Sequence, residues 1–154
     1  MTTTITPFQA TWAPRALGAL RIVGGYLFIA HGTAKLFAAP HIAMFDGLPI
    51  WSLAGVAGIL EVIGGAMLIV GLFTRPVAFV LSGLMAVAYF IAHASQGNAL
   101  LPILNGGELA ALYSFLFLFL AVAGGGAWAL DNVRGRRART GACGIVEAVS
   151  VSVR

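Results

Sequence analysis

Four long apolar runs dominate the chain, at roughly Leu17 to Phe37, Trp51 to Phe73, Pro76 to Ser95 and Glu108 to Trp128. Each is close to the roughly 17–25 residues that a helix needs to cross a bilayer. Stretches such as "LSGLMAVAYFIAHA" and "LYSFLFLFLAVAG" are almost continuously apolar and lack the period-2 alternation of a membrane barrel. The pattern therefore predicts an all-α protein, a bundle of four transmembrane helices. The connections fit this reading. The first, "AAPHIAMFDGLP", holds two prolines and an Asp-Gly turn; the second is only "TRP", with Pro76 suited to the first turn of the third helix. The third, "QGNALLPILNGG", ends in Asn105, three residues before Glu108, which predicts an Asn105 cap on the fourth helix.

Composition makes lipid the expected solvent. Of 154 residues 60% are apolar and 9% charged, with a mean hydropathy of +0.96; a soluble domain of this size would still expose about a third of its unfolded-chain surface. A soluble enzyme, a coiled coil and a disordered tail are excluded. The net charge of +4 is topology information and calls for no nucleic-acid partner. Arg15, Arg21, Arg75, Arg134, Arg136, Arg137, Arg139 and Arg154 fall on one side of the predicted spans and only Lys35 on the other. Both ends and the second loop are accordingly expected in the cytoplasm. Arg21 interrupts the apolar core that a cleaved leader would need, so the first run is expected to remain as a span. Residues 1–14 then form a cytoplasmic segment, 15–131 the membrane domain and 132–154 a basic cytoplasmic tail. Cys143 is the sole cysteine, which rules out paired-thiol chemistry within the chain; it and the rest of residues 140–154 carry no functional reading.

Chemistry is concentrated in a few polar residues at depth. With each span centred on the midplane and about 1.5 Å rise per residue, Glu61 falls near the centre, His31 about 7 Å outward, and His93 and Glu108 roughly 10–13 Å outward. Ionisable groups there are costly unless they face the bundle, a partner or water, so they are candidates for a site. Ala54, Ala57, Gly58, Glu61, Gly65 and Leu68 form one helical stripe, which places Glu61 inward on a small-residue face. Ser82, Ala86, Tyr89 and His93 form another, with the phenol one turn below the imidazole, and Gly24, Leu27, His31 and Lys35 a third. Lys35 is expected to snorkel to the headgroups or bind an anionic ligand, and Arg21 to snorkel inward or pair with Asp131. Glu108 also suits the positive end of a helix dipole. The remaining Trp and Tyr residues read as core or interface aromatics.

The segments "LRIVGGYLFIAHGTAKLF", "LEVIGGAMLIVGLFTRP" and "NGGELAALYSFLFLFLAVAGGGAWALD" together resemble the DoxX family of small four-helix bacterial membrane proteins, over about residues 15–131. On that resemblance Arg21, His31, Lys35, Glu61, Gly64, Gly65, Arg75, Asn105, Glu108 and Asp131 occupy characteristic positions. The resemblance implies the bacterial inner membrane and a subunit of a quinone-linked redox complex, with a protein partner. Thiosulfate, the substrate associated with the founding relative, sits poorly with the absence of a membrane cysteine. Three functions are compatible with the residues. In a quinone site His31, Glu61 and His93 carry protons, with Lys35, Tyr89, Glu108 and Asn105 binding the head. In a transition-metal site His31, Glu61, His93 and Glu108 are the ligands, although the Glu-x-x-His pairs of di-iron bundles are absent. In a non-enzymatic scaffold the bundle holds a partner or lipid, and its Gly-rich faces mediate helix contacts within the chain or between copies. A stand-alone channel is disfavoured, because four spans leave little lumen.

Overall fold

A computed structural model describes residues 6–134, and these are all helical or loop, with no strand among them. Helix α1 runs Pro7–Phe37, α2 Leu53–Val70, α3 Thr74–Ala88 and α4 Glu108–Ala123. A 3₁₀ turn at Ala43–Phe45 sits in the first connection, and a single helical turn, Pro102–Asn105, precedes α4. Past α3 the same axis continues as a π turn over Tyr89–His93 and a 3₁₀ turn over Ala94–Gln96.

Local chemistry sets the boundaries. Helix α1 begins inside the expected N-terminal segment, because Thr6 and Gln9 form a reciprocal capping box and Pro7 occupies the first turn. Pro14 lies within it and removes one intrahelical donor, while its carbonyl accepts the Ala127 N–H at 2.7 Å. Ser52 caps α2 through the Gly55 N–H at 3.1 Å. The cap of α4 is Gly107 rather than the expected Asn105, which lies two residues too early; its side-chain oxygen instead takes the Gly107 N–H at 2.9 Å. The fourth apolar run also ends early as a helix, at Ala123, because Gly124 to Gly126 break it.

The elements pair through small residues. In the antiparallel α1–α2 pair, a Cβ added to Gly25 would lie 2.8 Å from the Gly65 carbonyl oxygen, and one on Gly32 2.7 Å from that of Gly58. Only hydrogens leave room for so close an approach. Helices α3 and α4 are joined by a reciprocal bond: Ser82 donates to the Ser114 carbonyl at 2.8 Å, and Ser114 to that of Ser82 at 3.2 Å. Phe28 locks the two pairs together, its ring edge-on to Phe117 at 4.8 Å, within a core that includes Leu68, Leu81, Met85, Tyr113 and Leu120.

The distribution of polarity is the reverse of a soluble protein's. Arg21, Glu61, Thr74 and Ser82 are buried, while Val23, Ile63, Phe79, Phe90, Phe115 and Val122 are exposed. Such an exterior is stable only against lipid or another apolar surface. Among the described residues two helices are long and apolar enough to cross a membrane, Leu53–Val70 and the continuous Thr74–Gln96. Helix α4 is also apolar but has 16 residues, about 24 Å of helix.

Candidate functional site

The expected outer-half residues divide into two groups on different helix pairs. The first forms where α1 meets α2. The Gly32–Gly58 approach brings the helices close enough for Lys35 Nζ to reach Glu61 Oε1 at 2.5 Å. Glu61 is 1% exposed, and its second oxygen, Oε2, has no hydrogen-bond partner among the described residues. Lys35 therefore does not extend to the headgroups as expected: its ammonium is held between Glu61 and the Phe45 ring, 5.7 Å from the centroid. His31 lies one turn before Lys35, near enough to act electrostatically on Glu61. Its Nδ1 is 3.0 Å from the Leu27 carbonyl. A carbonyl only accepts, so Nδ1 carries a proton. The Tyr113 ring closes this group edge-on to His31 at 6.3 Å.

The second group lies where α3 unwinds. Tyr89 and His93 stack at 6.4 Å, as the one-turn spacing predicts. Both are spent on the chain itself: Tyr89 donates to the Ala99 carbonyl at 2.6 Å and accepts from Asn105 Nδ2 at 3.3 Å, and His93 Nδ1 meets the Asn105 carbonyl at 3.1 Å. Together they hold the 97–107 connection against the end of α3. Glu108 is exposed beside a shallow hollow of about 520 Å³ and makes no side-chain hydrogen bond among the described residues. Among those residues no three His, Cys, Asp or Glu side chains converge to hold a metal ion, so His31, Glu61, His93 and Glu108 are not assembled as a ligand set.

At the opposite end of the helices Arg21 departs furthest from expectation. It is 0% exposed, neither snorkelling nor bonded to Asp131. Nε donates to the Gly125 carbonyl at 2.8 Å, Nη1 to those of Leu68 and Ile69 (the latter at 2.7 Å), and Nη2 to Ala127 and Trp128, each at 3.3 Å. Five donors thus meet five carbonyls, a complete use of the guanidinium. Asp131 instead caps α3, its two oxygens accepting the Phe73 and Thr74 N–H groups at 2.8 Å each. Burial pushes this carboxyl up, but those two N–H bonds and the Arg134 charge outweigh it and hold it below the usual aspartate value. Neither role was foreseen; the only signals were a lone arginine in an apolar run and an acid shortly after a glycine triplet.

The sequence profile of the DoxX family matches residues 16–94, just over half of the chain, spanning the Lys35–Glu61 pair and ending where α3 unwinds. An uncharacterised protein of Haemophilus influenzae is 52% identical over 124 residues, which covers 79% of this chain and 92% of that one. No solved structure matches. The apolar exterior, the buried polar residues and this match agree, and the chain is a membrane protein that belongs to the DoxX family.

Proposed function

We propose that the protein is a quinone-interacting subunit of a redox system in the bacterial inner membrane. In this reading four helices span the bilayer, both chain ends face the cytoplasm, and a protein partner exchanges the electrons. The observation that carries it is the unpartnered Glu61 Oε2 beside a fully engaged Oε1. A buried carboxylate oxygen without a donor is costly, and a quinol hydroxyl is a donor that reaches such depth from the lipid phase. Glu61 would accept that hydroxyl, Lys35 would donate to a ring oxygen, and His31 Nε2 would take up a proton. A bound quinol supplies two electrons and two protons; the protons pass to His31 and Glu61 and the electrons to the redox partner. Tyr89, Asn105 and His93 Nδ1 would shape the loop, since they are already committed to it. The divided placement of the acids and imidazoles gives the metal reading no comparable support.

Titration of the detergent-purified protein with a short-chain benzoquinol tests this. Glu61→Gln turns its amide oxygen to Lys35 and an N–H₂ toward the hydroxyl, so affinity should fall at least about tenfold, equivalent to 1.4 kcal/mol. Equal affinity in parent and variant, or no binding by the parent, would reject the quinol reading and leave an assembly role.

A further inference from the structure

Far from Lys35 and Glu61, a cleft of about 1180 Å³ opens between the start of α1, the α2–α3 corner and the loop after α4. Its two walls differ in character. Leu17, Leu20 and Phe119 form an apolar wall, with Leu20 41% and Phe119 55% exposed. The other wall carries Arg75 and Asn132 beside the Gly124–Gly126 backbone. Arg75 lies along that backbone: a Cβ built on Gly124 would be 3.5 Å from both Nε and Nη2. Gly124, at φ +92°, thus admits the turn and leaves the guanidinium its berth.

Asp131 lines the same space, but its oxygens are directed to the Phe73 and Thr74 N–H groups and it forms no ion pair with Arg75. Among the described residues Arg75 has no ion pair and no hydrogen-bond acceptor. Arg134 adds a second cation at the rim, 4.7 Å above the Phe73 ring that also faces the cleft. A forked, permanently charged donor set matches the oxygens of a phosphate diester. The volume exceeds the roughly 300–1,000 Å³ of ordinary small-molecule pockets, and the apolar wall continues onto the exterior of α1 and α4. A compact anion would leave that wall unused.

We infer that this cleft is a binding site for one anionic phospholipid, its phosphate diester on Arg75 and its acyl chain along Leu17, Leu20 and Phe119. A net anionic headgroup is favoured over a zwitterionic one, because a headgroup ammonium would stand against Arg75 and Arg134. Binding here is independent of the quinol proposal, which concerns the other end of the helices.

Native mass spectrometry of the full chain, released from micelles holding equal phosphatidylglycerol and phosphatidylethanolamine, tests the site. The parent should retain phosphatidylglycerol preferentially. Arg75→Gln should reduce that retention at least about fivefold, while Arg75→Lys should keep part of it by charge alone. Leu20→Trp fills the apolar wall without altering charge and should lower retention of both lipids. Equal retention of the two lipids by the parent, or unchanged phosphatidylglycerol on both Arg75→Gln and Leu20→Trp, overturns the inference. Displacement of the lipid by millimolar inorganic phosphate would also overturn it, since the phosphate group alone would then be the ligand.

Discussion

Arg21 offers the sharpest test of how the helices are held together. Replacement by Met keeps an unbranched chain of similar reach and removes all five donors. All five carbonyls lose their side-chain partner, but that of Leu68 retains a second donor, the Gly71 N–H at 3.1 Å, so four are left bare: those of Ile69, Gly125, Ala127 and Trp128. At about 1 kcal/mol for each of these part-buried carbonyls, the low end of the usual range, the loss is about 4 kcal/mol. For a chain of this size about 1 kcal/mol moves Tm by about 2–4 °C, so Arg21→Met should melt roughly 8–16 °C lower in detergent. Arg21→Lys has three donors for five acceptors and should fall between the two. Circular dichroism at 222 nm, a helix band, followed on heating, reads the difference. A Tm for Arg21→Met within about 2 °C of the parent would refute the reasoning, because it would mean that water or relaxed backbone already serves those carbonyls.

Other consequences concern individual contacts. Gly65→Ala places a methyl 2.8 Å from the Gly25 carbonyl oxygen and 2.7 Å from Ile29 Cγ1, so overpacking should cost about 1–3 kcal/mol; Gly83→Ala meets nothing within 4 Å, and its Tm should equal or exceed the parent's. Tyr89→Phe removes the donor to Ala99 and the acceptor for Asn105; about 1 kcal/mol should be lost, read as faster limited proteolysis within residues 97–107. Asp131 has a depressed pKa in the folded state. Its stabilising effect is therefore complete above the unfolded aspartate pKa and fades as pH falls through that value toward the lower folded one. Thermal melts of Asp131→Asn should show a shallower loss of Tm on acidification than the parent; parallel curves would contradict its role as the α3 cap.

How much of this could be read from the chain depended on which partner each residue uses. Glu61 was legible as a buried acid because its neighbours at helical spacing are small, and the structure leaves it 1% exposed. The stacking of Tyr89 on His93 followed from their spacing in the same way. Lys35 was placed on the correct face but given the wrong destination. Helical periodicity fixes a side chain's direction on its own helix, whereas its reach to Glu61 depends on the register of α1 against α2. That register is set by Gly25 against Gly65 and Gly32 against Gly58, and glycines in an apolar run do not declare which glycine they will meet. The separation of His93 from Glu61 was hidden for a related reason: depth in the bilayer says nothing about the rotation of α3 relative to α1.

Arg21 and Asp131 were misread because their partners are main-chain atoms, which every residue type supplies and no sequence motif marks. The arginine draws its acceptors from the exposed ends of α2 and from the loop that follows Ala123, where helical hydrogen bonding has stopped. The aspartate draws its donors from the first N–H groups of α3. Both therefore spend their charge on helix ends, Arg21 inside the protein where water cannot serve them and Asp131 nearer the surface. The same physical rule distinguishes the Lys35–Glu61 group. Arg21 and Asp131 leave no side-chain oxygen or nitrogen without a partner, whereas Glu61, as deeply buried as Arg21, retains a bare oxygen among the described residues. A bare carboxylate oxygen is costly in a way that the uncharged Thr74 hydroxyl, which also lacks a partner among the described residues, is not, and that difference separates the candidate site from the scaffold around it.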